Sequence, residues 1–77
     1  MLKLLSVKPL TNYELELHYE KNHIRRFDVK PYLKIGKFCE LQDIEQFNRV
    51  HVSFDTIGWD NGVDLCPEVL FTKSIEH

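Results

Sequence analysis

Histidine is the residue type in this chain that could most readily bind a metal ion or transfer a proton near neutral pH. The chain has four histidines and two cysteines. Zinc sites need such ligands at short recurrent spacings, and neither the spacing of a zinc finger nor that of a helical H-E-x-x-H site occurs. We therefore expect solvated histidines, no metal centre and no cofactor. The histidines are His18, His23, His51 and His77.

Nucleophilic catalysis and phosphate binding have local signatures, and this sequence lacks both. No serine lies in a G-x-S-x-G elbow. The three glycines, Gly36, Gly58 and Gly62, are too scattered to form a loop that cradles a phosphate. Carboxylates are plentiful, but spacing alone does not separate a catalytic pair from surface acids. An enzyme is therefore the least favoured class of function.

Residues 60–64, D-N-G-V-D, resemble the start of a calcium loop. An EF-hand loop has its glycine at the sixth position and a glutamate at the twelfth, whereas here the glycine is third. Asn and Asp side chains also bond to their own backbone in tight turns. We therefore predict a turn and no calcium site.

Charge is distributed unevenly along the chain, although the net charge is −2 and the isoelectric point is about 6.0. Residues 21–37 carry six lysines or arginines against one acid, and residues 38–77 carry eight acids against two. The basic segment could follow a nucleic-acid backbone, dock on an acidic protein surface, or be merely solvated. The isoelectric point weighs against nucleic acid. The candidate binding residues are Arg25, Arg26, Lys30 and Lys34.

Alternation of polar and apolar residues predicts two half-buried strands, over residues 13–20 and 49–54. In the second of these, Val50, Val52 and Phe54 share the buried face. Residues 23–29 predict a less regular strand, with a bulge or a frayed start, that follows a hairpin turn at Lys21-Asn22. Residues 4–10 and 57–59 predict two further strands, the latter after a turn at Asp55-Thr56.

Two short helices complete the predicted elements. Asp43 is a capping residue with glutamine three places later, which indicates a helix of at most two turns before Asn48. Pro67-Glu68 is typical of a helix start, and that helix should run to about Ser74. The order predicts an α+β fold over residues 1–77 as a single domain. In it, an antiparallel sheet of four to five strands carries two short helices packed on one side.

Cys39 and Cys66 are the remaining reactive side chains. They are far apart in the sequence and too few to staple a secreted mini-protein, so we expect both to be reduced and buried. The longest apolar run is well short of the roughly 18 residues that a membrane span needs. The expected location is the cytoplasm, without membrane association.

The chain resembles the bacterial domain-of-unknown-function family 2442 over nearly its whole length. The most specific part is a W-x-N-G-x-D-[apolar]-x-P-E-x-L pattern, in which Asp60 stands where proline is common in the family. The residues that carry the resemblance are 27–33, F-D-V-K-P-Y-L, then Leu41, Phe47, Val50 and Val52, then 59–71, W-D-N-G-V-D-L-C-P-E-V-L-F.

The resemblance implies a small α+β module, found alone or fused to a helix-turn-helix DNA-binding domain, with no established activity. It suggests a role in regulation or in a small two-protein operon, and no fused domain is expected in these 77 residues. It also makes Trp59, Asn61 and Asp64 candidate functional residues. On a purely structural interpretation, Trp59 packs, Asn61-Gly62 turns the chain and Asp64 caps the helix at Pro67 or its approach.

Together these observations predict a small non-enzymatic interaction or regulatory module. It would self-associate, as a dimer, or bind a protein partner through its polarised surface or an uncovered sheet edge. Nucleic-acid binding through residues 21–37 is the alternative. A small-ligand site or an enzyme near Trp59 and Asp64 is a second alternative.

Overall fold

The computed structural model describes residues 2–76. These residues form six β-strands, two α-helices and three 3₁₀ helices. The strands are β1 (Leu4–Pro9), β2 (Glu14–Tyr19), β3 (His23–Asp28), β4 (His51–Ser53), β5 (Thr56–Gly58) and β6 (Ile75–Glu76). The α-helices are α1 (Ile44–Phe47) and α2 (Pro67–Lys73), and the 3₁₀ helices are Thr11–Tyr13, Lys30–Tyr32 and Gly36–Gln42. The α+β class predicted from the sequence is confirmed.

The larger sheet is antiparallel with the strand order β1-β2-β3-β6. In β2 the alternation of the sequence is observed directly, since Leu15, Leu17 and Tyr19 are buried and the residues between them are half-exposed. Leu15 pairs with Phe27 of β3, so the apolar residues of both strands line one face. A slip of one residue would turn that face to water, and the register is therefore strongly specified.

The β2–β3 hairpin turns where the sequence predicts it, at Lys21 and Asn22. Both residues are left-handed, with φ of 63° and 62°, which gives a turn whose twist matches that of the strands. The irregularity expected in β3 is absent, because its pairing with β2 is continuous from His23 to Asp28. Arg25 does lie in phase with Phe27, on the covered side. The bulge in this sheet occurs in β1, between Leu4 and Ser6.

A separate two-stranded sheet consists of β4 and β5. Its hairpin turns at Phe54 and Asp55, which are both left-handed, one residue earlier than the sequence predicts. Strand β4 is therefore shorter than the predicted residues 49–54, and Phe54 lies in the turn after it. The expectation that Phe54 shares the buried face is wrong, since its side chain is 96% exposed.

Aromatic contacts join each helix to β2 or to the residue that precedes it. Tyr13 stacks edge-on against Phe47 of α1, and Tyr19 does so against Phe71 of α2, each with ring centroids 5.2 Å apart. Each helix between residues 2 and 76 is too short to span a lipid bilayer. The buried apolar residues are Leu4, Leu15, Leu17, Tyr19, Phe27, Val29, Leu33, Leu41, Phe47, Ile57, Trp59, Val63, Leu65 and Leu70.

Both cysteines are free thiols, but the prediction that they are buried is wrong. Cys39 lies in the 3₁₀ helix Gly36–Gln42, whose buried residue is Leu41. Cys66 follows Leu65, which is directed into the core, so the alternation of the extended chain leaves Cys66 exposed.

Candidate functional site

Arg25, a candidate binding residue, is a structural clamp between β3 and the C-terminal end of α2. Its Nε donates to Ser74 Oγ at 2.6 Å, and its Nη2 donates to the carbonyls of Phe71 and Ser74 at 3.1 and 2.8 Å. Nη1 contacts Glu76 Oε1 at 3.1 Å, and the guanidinium lies 4.3 Å from the centre of the Phe71 ring. A cation here satisfies carbonyls at the end of α2. Its side chain is only 15% exposed.

Arg26 and Lys30, two further candidates, are held in ion pairs on the outer face of the sheet. Arg26 Nε lies 3.7 Å from Glu14 Oε1. Lys30 Nζ lies 3.0 Å from Asp28 Oδ1 and 3.4 Å from Glu14 Oε2. The hydrogen bond from Lys30 to Asp28, supported by the charges of Asp28 and Glu14, raises the pKa of Lys30 above its usual value. Much of the positive charge in residues 21–37 is therefore balanced locally.

Lys34, the fourth basic candidate, has no ion pair among residues 2–76, and neither have Lys21 and Lys37. These three lysines are exposed. Phe27, which the sequence places among the basic residues, is 1% exposed and cannot stack on a nucleic-acid base. Tyr32, the other aromatic residue of this segment, is half-buried between the rings of Phe27 and Phe38, with ring centroids 5.6 Å apart in both cases. The exposed lysines are therefore not accompanied by a fully exposed aromatic ring of the kind typical of single-strand binding.

An open edge on β1 offers little to a partner strand. The bulge between Leu4 and Ser6 interrupts the pairing pattern, and Pro9 at its end has no N–H to donate. Both features are common devices that protect edge strands from added pairing.

Trp59, Gly62 and Asp64 of the W-x-N-G-x-D pattern line a groove of about 540 Å³ on the β4–β5 hairpin, which we call the hairpin groove. The pairing of His51 with Gly58 and of Ser53 with Thr56 places these four residues on one face of the hairpin. Gly58 also pairs with Asp64 in an antiparallel bridge. The groove is lined by His51, Ser53, Phe54, Thr56, Gly58, Trp59, Gly62, Val63, Asp64, Leu65, Cys66 and Pro67.

Gly58 forms the floor between His51 and Asp64. A Cβ at this position would lie 3.7 Å from His51 Nε2 and 3.6 Å from Asp64 Cβ. Because Gly58 has no side chain, the space above it is open, and the imidazole of His51 borders this space. His51 Nδ1 also lies 3.8 Å from Asp60 Oδ1. The result is a polar floor with carboxylates on the same face.

Trp59 and Asn61 hold the backbone beside the groove in place through hydrogen bonds. Trp59 is 2% exposed, and its Nε1 donates to the Phe47 carbonyl at 2.9 Å. Asn61 Oδ1 accepts from the Val63 N–H at 3.1 Å, and its Nδ2 donates to Glu40 Oε1 at 2.9 Å. The predicted packing of Trp59 and the predicted turn at Asn61 are both present, and Gly62 has the left-handed φ of 91° that the turn needs.

Asp64 is the family-pattern residue that remains free for a ligand. It is exposed, and no side chain caps α2, so the expectation that Asp64 caps this helix is wrong. Asp64 forms no ion pair within the described range, residues 2–76. Its backbone role in the bridge to Gly58 holds its carboxylate on the groove side.

Asp64 is the carboxylate in the groove lining, and further acids flank the groove in the sequence. Residues 50–72 contain four acids, namely Asp55, Asp60, Asp64 and Glu68, and no lysine or arginine. In residues 2–76 no group of three or more His, Cys, Asp or Glu side chains could hold a metal ion. The groove can therefore accept hydrogen bonds and bind a positively charged group next to the exposed ring of Phe54.

The structure thus separates the candidate residues into two groups. Trp59 and Asp64 line the groove, and Asn61 forms the turn between them. Arg25 and Arg26 lie on β3 of the larger sheet, and Lys30 begins the 3₁₀ helix that follows this strand. The sequence analysis missed the groove residues His51, Ser53, Phe54 and Thr56. The polar side of the strand pattern in residues 49–54 does place His51 and Ser53 on one wet face, but nothing in that pattern indicates the early turn that exposes Phe54.

Comparison with known proteins identifies one family. The family model described as "Protein of unknown function (DUF2442)" matches residues 4–76. No curated protein and no solved structure matches the chain. Because the match spans nearly all of the sequence, including both the larger sheet and the groove, the chain belongs to the DUF2442 family.

Proposed function

We propose that this chain is a non-enzymatic interaction module of the cytoplasm that docks a protein partner in the hairpin groove, with Phe54 as the anchor. One observation carries the proposal: Phe54 is 96% exposed at the rim of a groove of about 540 Å³. A phenylalanine buries on the order of 150–250 Å² when it is covered. Aromatic anchors of this kind often dominate the energy of an interface.

The backbone at Phe54 strengthens the proposal. Its φ is 49°, in the left-handed region, where the turn would be better served by glycine, asparagine or aspartate. For other residues this conformation costs roughly 1–2 kcal/mol. Phenylalanine therefore contributes nothing to the turn itself. A binding role explains its presence at the tip.

Local charge favours a protein over a nucleic acid. The groove lining contains the Asp64 carboxylate and no lysine or arginine, so it offers a phosphate backbone no cation. In the basic segment, Arg25, Arg26 and Lys30 are already occupied by partners within the chain. The exposed thiols of Cys39 and Cys66 fit a reducing compartment.

The test uses a photoreactive phenylalanine analogue, benzoylphenylalanine, in place of Phe54 in cells of the native host. The proposal expects one or a few discrete protein adducts on irradiation, identified by mass spectrometry. The matched control carries the same probe at Ile75, a residue 73% exposed on β6 of the larger sheet. The control is expected to give none of these adducts.

A second variant tests whether the partner that forms the adducts binds in the groove. Asp64→Lys, combined with the probe at position 54, reverses the charge of the groove floor and should reduce the adducts at least about tenfold. The proposal is wrong if position 54 gives no adducts, or if positions 54 and 75 give the same set.

A further inference from the structure

A short exposed loop lies beside the hairpin groove and has the opposite charge. We call it the lysine loop, residues 34–37, with the sequence K-I-G-K. Ile35 is 57% exposed, and both lysines are exposed. The loop thus presents an apolar side chain between two cations, and the groove presents an apolar side chain, Phe54, beside carboxylates.

The two surfaces are neighbours on the molecule. The Lys37 Nζ lies 3.8 Å from where a Cβ of residue 62 would be, and Gly62 lines the groove. The 3₁₀ helix that begins at Gly36 is tied to the same turn, because Glu40 accepts from Asn61 at 2.9 Å. Phe38 of this helix also meets Trp59, with ring centroids 6.5 Å apart.

Despite this proximity, no ion pair joins the lysine loop to the groove among residues 2–76. Within the part of the chain that the structure describes, Lys34, Lys37 and Asp64 take part in no ion pair. Within residues 2–76, the ion pair that Asp60 forms is with the His51 ring, at 3.8 Å. This contrasts with the larger sheet, where Glu14 alone meets two cations.

We propose that the partner in the hairpin groove is a second copy of this chain, which places its lysine loop on the acidic groove while its own groove receives the first copy's loop. The inference rests on the proposed function and names its partner. A two-fold dimer requires one face that is complementary to itself. A positive and a negative surface side by side meet that requirement, because rotation by 180° lays each on the other.

The expected dimer is modest in strength and sensitive to salt. A standard interface buries about 800 Å² on each partner, which is a sixth or so of the total accessible surface of 4892 Å². The polar contacts at the rim are exposed and therefore screened by ions. Association should rise with protein concentration and weaken as the salt concentration increases.

Sedimentation equilibrium with charge reversals tests the dimer. Asp64→Lys alone and Lys34→Glu alone should each weaken self-association at least about tenfold, since each creates two like-charge contacts across the two-fold axis. Lys21→Glu is the matched control, because Lys21 is equally unpaired but lies at the β2–β3 turn. This control should leave self-association within about twofold, as expected for a charge outside the contact.

Mixing the two weakened variants is the decisive measurement. In a mixed dimer both contacts are attractive: the introduced lysine of one chain meets the introduced glutamate of the other, and the unchanged Lys34 meets the unchanged Asp64. Association should therefore return to within about threefold of the original chain. All changes are at exposed residues, and circular dichroism checks that each variant is folded. Recovery on mixing, with the Lys21 control unchanged, supports the two-fold dimer.

The inference is overturned if the original chain stays monomeric up to about 1 mM, or if the mixed variants fail to associate. These failures are distinct from failure of the proposed function. A probe at Phe54 that captures a different protein, in a chain that is monomeric by sedimentation, would keep the groove as an interaction site and discard the second copy as its occupant.

Discussion

The larger sheet and the β4–β5 hairpin use charge and aromatic residues in opposite ways. On the sheet, Arg26 and Lys30 meet Glu14 across neighbouring elements, and Arg25 is held by α2 and β6. At the hairpin, Asp64 has no ionic partner between residues 2 and 76, and Phe54 points into solvent. Part of the basic run in the sequence therefore belongs to the framework, and the proposed binding surface lies where side chains are left without ionic partners among residues 2–76.

The two regions also differ in how they are stabilised. The β2–β3 pair extends over six residues on each strand. The β4–β5 pair has three residues on each strand, although both hairpins close through two left-handed residues. A hairpin this short is not stable alone in water. It depends on the core through Ile57 and Trp59, which are both buried.

The largest expected effect tests that dependence. Trp59→Ala removes a buried indole and its hydrogen bond to Phe47, and should lower the free energy of unfolding by about 3–5 kcal/mol. Phe54→Ala, five residues away but exposed, should change it by less than about 0.5 kcal/mol. Urea denaturation followed by circular dichroism measures both. Similar losses in the free energy of unfolding for the two variants would contradict the assignment of Trp59 to the core and of Phe54 to the surface.

An intermediate effect is expected from the arginines of β3. Arg25→Met leaves the Ser74 carbonyl without its donor and removes one of the donors to the Phe71 carbonyl, which Ser74 still bonds, and should cost about 2–3 kcal/mol. Arg26→Met removes one exposed ion pair and should cost less than about 1 kcal/mol. Thermal unfolding of the two variants gives the comparison. Equal costs would show that Arg25 does not act as a clamp, and would restore it as a candidate for partner binding.

The smallest effect concerns Tyr19, which is buried while its hydroxyl lacks a hydrogen-bond partner between residues 2 and 76. Burial raises the pKa of Tyr19 above 10.0, an effect that the Arg25 charge partly offsets. As the pH rises, Tyr19 therefore loses its proton in the unfolded chain before it does so in the folded protein. The contribution of Tyr19 to the free energy of unfolding is unchanged below about pH 10, and it falls as the pH rises further.

Tyr19→Phe should therefore change stability at pH 7 by less than about 1 kcal/mol, because the hydroxyl makes no bond that is lost. Above pH 10 the variant should lose stability less steeply than the original chain. Denaturation curves at pH 7, 9 and 10.5 show the difference. Parallel losses in the two proteins would mean that Tyr19 is ionised as easily in the folded state as in the unfolded one.

Much of the framework could be predicted from local patterns. The period of two in residues 13–20 determines which side of β2 is buried, and Lys21-Asn22 determines where the hairpin turns. Asp43 caps α1 as expected, since its side chain accepts from the Glu45 N–H at 3.1 Å. These features depend on neighbouring residues, and so a sequence pattern is sufficient.

The candidate site was less accessible to such reasoning. The early turn at Phe54 follows from how β5 and residues 64–65 pair beside it, with the Leu65 N–H donating to the Ile57 carbonyl. Arg25 looked like a surface cation because the two-residue strand β6 and the end of α2, which surround it, are separated from it by about fifty residues. Local spacing in the sequence does not show that Arg25 contacts β6 and the end of α2.

By itself, the sequence determined the class of fold, the register of β2 against β3 and the turns at Lys21-Asn22 and Asn61-Gly62, because each depends on side-chain alternation or on backbone preferences within a few residues. The tertiary structure decided which charges are satisfied and which remain free, because an ion pair or a groove forms between residues that are distant in the chain. That difference turned Arg25 into a clamp and left Asp64 and Phe54 on an open surface.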